Sequence, residues 1–210
     1  MKEIIDTYHQ IIKDIHNRIL DFKSVWNKAD EKRLFQELAF CLLTPQSKAE
    51  NAWKTIIKLT ENNKLFEATI SSISNDLNLV RFKNNKAAYL VEAREIFFNN
   101  SKGIRETLFE FTSVFEKRKW LNNNIKGFGL KESSHFLRNI GFVEDIAILD
   151  RHIMKNLRKF NVISEIPKSI PEKKYFQIEN KMKKFSNEIR IPLGHLDFIF
   201  WYNETHTIFK

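Results

Sequence analysis

Apolar residues recur at helical spacing over most of this chain, and the residues that interrupt helices are scarce. Only five glycines and four prolines stand among 210 residues. Residues 4–20 set Ile4, Ile5, Tyr8, Ile11, Ile12, Ile15 and Ile19 on one stripe, the pattern of a helix with one buried face. Residues 31–43, EKRLFQELAFCLL, predict a second helix that is apolar nearly all round. Pro45 breaks it, because the residue before a proline is pushed out of helical conformation, so Thr44–Ser47 (TPQS) reads as a turn. Further helices are expected at 48–60, 75–79 and 84–98, with one or two across 101–120. The remainder fall at 131–140, 150–160, 171–187 and 192–203, with Gly141 as the stop of the first of these. No period-two strand, repeat or low-complexity linker interrupts the series. The expected fold class is all-α.

Several function classes are excluded by composition. No apolar run approaches the roughly 20 residues that span a bilayer, so no membrane association of that kind is expected. The N-terminal helix lacks the apolar core and cleavage site of a signal peptide. A single cysteine, Cys41, makes no internal disulfide, four-cysteine zinc site or iron–sulfur cluster; it reads as a small buried hydrophobe and fits a reducing cytoplasm. Lys and Arg number 35 against 26 Asp and Glu, a net charge of +9. That excess suits a polyanion such as nucleic acid or an anionic membrane, although a merely soluble basic protein has the same balance.

Chemistry concentrates in KGFGLKESSHFLRNIGFVEDIAILDRH, Lys126 to His152. Gly127-Phe128-Gly129 starts like a dinucleotide-binding fingerprint, but the third glycine is missing and LNNNIK, not a buried strand, precedes it. A helix–hairpin–helix fits better. Such a hairpin is either a plain turn or a place where backbone N–H groups approach a phosphate. Lys131 falls in the first turn of the following helix, where the helix dipole disfavours a cation. That position suits an amine that must be neutral to attack; a phosphate-binding or exposed lysine is the alternative. Asp150 follows the apolar run Ile146–Leu149 and stands at a helix start, so it is an N-cap, a buried oriented carboxylate, or both. His152 points from the same helix start toward a phosphate or into the packing. His135, four residues after Lys131, shares its helix face.

These residues resemble a known family. GFGLK followed by the aspartate of ILDRH is similar to the helix–hairpin–helix DNA glycosylase superfamily. CLLTPQSKA, RFKNNKA and the terminal LDFIFWYNETHTIFK narrow the resemblance to the type 2 8-oxoguanine DNA glycosylases of archaea and some bacteria. It covers the chain from about residue 30 to its end. It implies two helical subdomains with a cleft between them, residues 1–30 with 116–210 and residues 31–115. It implies a bifunctional enzyme that flips out 8-oxoguanine, removes it through a Schiff base on Lys131 with Asp150 as partner, and cuts the strand by β-elimination. A glycosylase/lyase for another damaged base and a non-catalytic DNA-binding module are the alternatives. By the same resemblance Gly127, Gly129 and His152 hold DNA phosphate, and Gln46 fills the gap left by the base. Lys48, His135, Asp197, Trp201 and Lys210 belong to the lesion pocket. The partner is double-stranded DNA containing 8-oxoguanine or abasic sites, bound by a monomer. No metal or cofactor is implied beyond a monovalent cation at the hairpin. His195 stands where the family pattern leads one to expect an acidic residue.

Overall fold

The computed structural model describes residues 2–99 and 102–210. Among them are twelve α-helices and no strand: α1 Lys2–Lys28, α2 Glu31–Leu43, α3 Ala49–Glu61, α4 Lys64–Glu67, α5 Ile70–Asp76, α6 Lys83–Arg94, α7 Ile104–Phe109, α8 Val114–Asn124, α9 Leu130–Asn139, α10 Arg151–Lys159, α11 Glu172–Ile189 and α12 Leu193–Thr205. A π-helical turn, Glu95–Asn99, extends α6. None of these helices is long and apolar enough to cross a membrane. Most fall where the apolar period placed them. The helix expected at 75–79 is instead α5, which starts earlier because Thr69 caps it, accepting from Ser72 N at 3.3 Å. Ser101, the start of another expected helical stretch, lies outside the described residues.

The chain divides into two compact units: the residues up to Ser24 with Leu137–Lys210, and Val25–Phe136. The sequence predicts these limits at 30/31 and 115/116. α8 goes with the middle unit because two of its buried cations are spent there. Lys117 Nζ donates to Leu108 O at 2.7 Å and to Phe111 O, and Arg118 Nη1 donates to Ser134 Oγ at 3.2 Å.

In the middle unit α2 is buried on nearly every side, as its sequence foretold, with Leu34, Phe35, Leu38, Phe40, Leu42 and Leu43 almost wholly removed from water. It packs on α3, α6 and α7. Glu31, in its first turn, satisfies the start of α7 by accepting from Ile104 N at 2.6 Å.

In the other unit the stripe Ile4, Ile11, Ile15, Ile19 and Phe22 of α1 is buried. α12 packs on α10 and α11. Arg138, only 5% exposed, holds its guanidinium 5.0 Å from the Phe22 ring and 5.1 Å from Phe198, with Asp197 Oδ2 3.6 Å from Nη1. α9 stops at Gly141, whose φ of 101° is forbidding to other residues. Gly141 N donates to Arg138 O at 3.0 Å and Phe142 N to Leu137 O at 2.9 Å, the two bonds of a Schellman stop.

Candidate active site

The hairpin of the middle unit lies between α8 and α9. Gly127 has φ 89°, and a Cβ there would stand 2.5 Å from Tyr89 Cδ2. Both the backbone and the packing therefore demand glycine. Gly129 is different: its φ is ordinary, and a Cβ would meet only Glu132 Oε2, at 3.3 Å. That carboxylate accepts from Gly129 N at 3.2 Å, so Glu132 reaches back from the third residue of α9 to close its start. Its other oxygen lies 3.7 Å from Lys131 Nζ. Lys131 is thus the second residue of α9, with 22% of its side chain exposed and a carboxylate beside it. His135, one turn on, is buried with its ring edge-on to Phe40 at 5.6 Å.

Gln46 stands exposed in the α2–α3 turn at φ 55°, a left-handed backbone that is uncommon without glycine. Lys48 is exposed at the start of α3 and makes no side-chain cap bond.

In the other unit, residues 142–150 run without regular structure although Ile146–Leu149 are buried. Buried backbone needs partners, and α11 supplies them. Glu179 Oε1 accepts from Ala147 N at 2.8 Å, and Tyr175 Oη donates to Ala147 O at 2.6 Å. This fixes the approach to Asp150. Asp150 Oδ1 accepts from Ile153 N at 2.8 Å and so caps α10. Oδ2 has no donor among the described residues.

His152 sits edge-on to Trp201 at 5.1 Å, with Nδ1 3.9 Å from Glu204 Oε2. Glu204 also takes Lys155 Nζ at 2.7 Å, and that ammonium holds its carboxyl below the usual range. Trp201 Nε1 is buried with no acceptor among the described residues. Asp197 is engaged by Arg138, as described above. Lys210 is half-buried at the end of the chain.

The family model described as 8-oxoguanine DNA glycosylase matches residues 15–191. The chain belongs to the 8-oxoguanine DNA glycosylase family. A relative from Fusobacterium nucleatum named 8-oxoguanine DNA glycosylase/AP lyase is 44% identical over 209 residues, covering 99% of this chain and 96% of the relative. One from Methanocaldococcus jannaschii with the same name is 39% identical over 216 residues, covering 100% and 99%. The crystal structure of the M. jannaschii 8-oxoguanine glycosylase/lyase in complex with 15mer DNA containing 8-oxoguanine superposes with a TM-score of 0.89 at 36% identity, covering 100% of this chain and 98% of that one. A Thermotoga maritima 8-oxoguanine DNA glycosylase gives 0.88 at 29% identity, covering 100% and 97%.

Two residues of this family member, Lys86 and Glu132, were not singled out from its sequence. Lys86 is a buried ammonium beneath the Gln46 turn. Glu132 is the carboxylate shared by Lys131 and the hairpin. His195, which stands where the family pattern has an acid, is half-buried: Tyr8 Oη lies 3.0 Å from its Nδ1, and His16 meets it edge-on at 5.4 Å. Burial, helped by the nearby His16, lowers the His195 pKa to about 4. The ring lines a cavity of about 770 Å³ with His16, Lys23, Lys183 and Arg190, and no candidate catalytic, phosphate-binding or lesion-pocket residue lines it.

Proposed function

We propose that the chain removes 8-oxoguanine from double-stranded DNA through a Schiff base on Lys131 and then cuts the strand by β-elimination. The observation that carries this reading is the position of Lys131. It is a partly exposed amine at the second residue of the hairpin's second helix, in a chain whose relatives are named 8-oxoguanine DNA glycosylase/AP lyase.

The steps follow from the chemistry. A base inside a duplex is out of reach and must be extruded at a cost of a few kcal/mol. Gln46, already exposed on its turn, enters the gap and hydrogen-bonds the orphaned partner. The Trp201 face stacks on the extruded base, an interaction of about 1–3 kcal/mol, and its buried Nε1 has no acceptor among the described residues. Lys48 and Lys210 supply further polar contacts at the lesion. Asp197, held by Arg138, and His135, packed on Phe40, are further residues assigned to lesion recognition.

The neutral Lys131 amine attacks C1′ of the sugar. The C1′–N bond breaks, its electron pair leaves with the base, and the base is protonated. Asp150 stabilises the positive charge on the sugar with a carboxylate already fixed by its cap. The sugar ring opens as the amine becomes a protonated imine, which acidifies the C2′ hydrogens. Loss of one expels the 3′ phosphate, and hydrolysis of the imine frees Lys131. An amine and a carboxylate suffice, so the sequence of steps calls for no redox cofactor.

Gly127, Gly129 and His152 position the DNA backbone, and the hairpin backbone would hold a monovalent cation that supplies further positive charge to the phosphate. For Gly129 N–H to reach a phosphate, the Glu132 carboxylate must first let go of it. The protein acts as a monomer on cytoplasmic DNA.

The test is a pair of duplexes that differ only in 8-oxoguanine or guanine opposite cytosine. The reading expects a nick in the first alone, with an unsaturated aldehyde at the 3′ end and a phosphate at the 5′ end. An intact 8-oxoguanine strand, or equal nicking of both, overturns it.

A further inference from the structure

Lys86 on α6 is 4% exposed. Its ammonium leaves its own helix for the turn between α2 and α3. Nζ donates to Leu43 O at 2.7 Å, to Pro45 O at 2.8 Å and to Ser47 Oγ at 3.0 Å. An ammonium has three protons, and these three acceptors use all of them. Ser47 Oγ also accepts from Arg81 N at 3.0 Å, which ties the turn to the segment before α6.

A cation out of water is costly to fold around, and a turn does not ordinarily require one. The two carbonyls and the hydroxyl would be satisfied by water if the turn were left open. What the arrangement achieves is rigidity at one place. Its acceptors bracket Gln46, whose backbone is left-handed and whose side chain is exposed. That conformation is sparsely populated by non-glycine residues, so a braced turn favours keeping it. Burial lowers the Lys86 pKa to about 8, which leaves it mostly charged at neutral pH.

We propose that Lys86 is a positioning residue for base extrusion, holding the turn so that Gln46 is presented ready to enter the gap. This rests on the reading of Gln46 as the gap-filling residue. Lys86 acts through Gln46: it removes the ordering cost that a mobile turn would add each time the side chain inserts. Arginine keeps the charge but carries a planar fork, which does not converge on three acceptors around a point.

The experiment compares two single-turnover rates for each variant. One is excision from an 8-oxoguanine duplex. The other is strand cleavage at a preformed abasic site in single-stranded DNA, where there is no stack to fill. The proposal expects the ratio of the first to the second to fall at least tenfold in Lys86→Met and by a matching factor in Gln46→Ala. The double variant falls no further than the worse single one, because both remove the same insertion. Lys86→Arg recovers part of the ratio. Ser47→Ala, which strands no buried carbonyl, shows a smaller fall of the same kind should Lys86→Met fail to fold. An unchanged ratio in Lys86→Met, or losses in the double variant that multiply, overturns the proposal. A wild-type ratio in Gln46→Ala overturns the gap-filling reading together with it, whereas a tenfold fall in Gln46→Ala alone overturns only the role of Lys86.

Discussion

Asp150 Oδ1 accepts the backbone N–H of Ile153 at 2.8 Å, so the carboxylate proposed for the chemistry also starts a helix. The two roles separate by substitution. Asparagine caps helices about as well as aspartate, so Asp150→Asn should lower stability by less than about 1 kcal/mol, part of which is the lost charge at the helix start. Without the carboxylate's charge, excision should fall by roughly 10²–10⁴. Chemical denaturation and single-turnover rates on one preparation check both. An Asn variant with native excision would leave Asp150 as a cap and nothing more.

The hairpin glycines should respond differently. Gly127→Ala places a side chain at φ 89° and against Tyr89, and should cost about 1–3 kcal/mol of stability. Gly129→Ala meets only the movable Glu132 carboxylate and should change stability by less than about 1 kcal/mol. If Gly129 approaches a phosphate, its variant loses DNA affinity out of proportion to that small change. Equal stability losses at the two positions in thermal denaturation would contradict the assignment.

The contrast between these glycines shows how far the sequence reading reaches. GFG announces a hairpin, but only the position of Tyr89 tells which glycine is structurally required. α2 was readable residue by residue because its apolar run ends at Pro45. α4 is four residues long and has no period to detect. α5 was set too late because the Thr69 cap lies in a serine-rich stretch without a strong apolar stripe. The placement of Lys131 and Asp150 at helix starts was legible, because a Gly-x-Gly hairpin precedes the one and an aspartate after an apolar run is a natural cap. Lys86 was not, since a lysine in KNNKA reads as solvated. Its burial depends on acceptors 39 to 43 residues earlier in the chain.

His195 makes stability depend on mildly acidic pH. Burial holds its folded pKa at about 4, below the 6.5 of a free histidine. The unfolded chain therefore binds more protons between these values, and stability rises with pH across that window. The contribution is complete above about pH 6.5 and is lost progressively as pH falls toward 4. Discounting for partial exposure, it is on the order of 2 kcal/mol. His195→Gln should flatten the decline in melting temperature between pH 7 and pH 4.5 relative to wild type. An unchanged slope would mean that the ring is already protonated in the folded protein.

The covalent step is tested most directly by trapping it. Wild-type protein incubated with an 8-oxoguanine duplex and borohydride should give a protein–DNA adduct, as the hydride reduces the imine to a stable amine. Lys131→Gln, at equal concentration and with DNA binding verified, should give none. No adduct from wild type, or an undiminished adduct from Lys131→Gln, would contradict the assignment of Lys131 as the nucleophile.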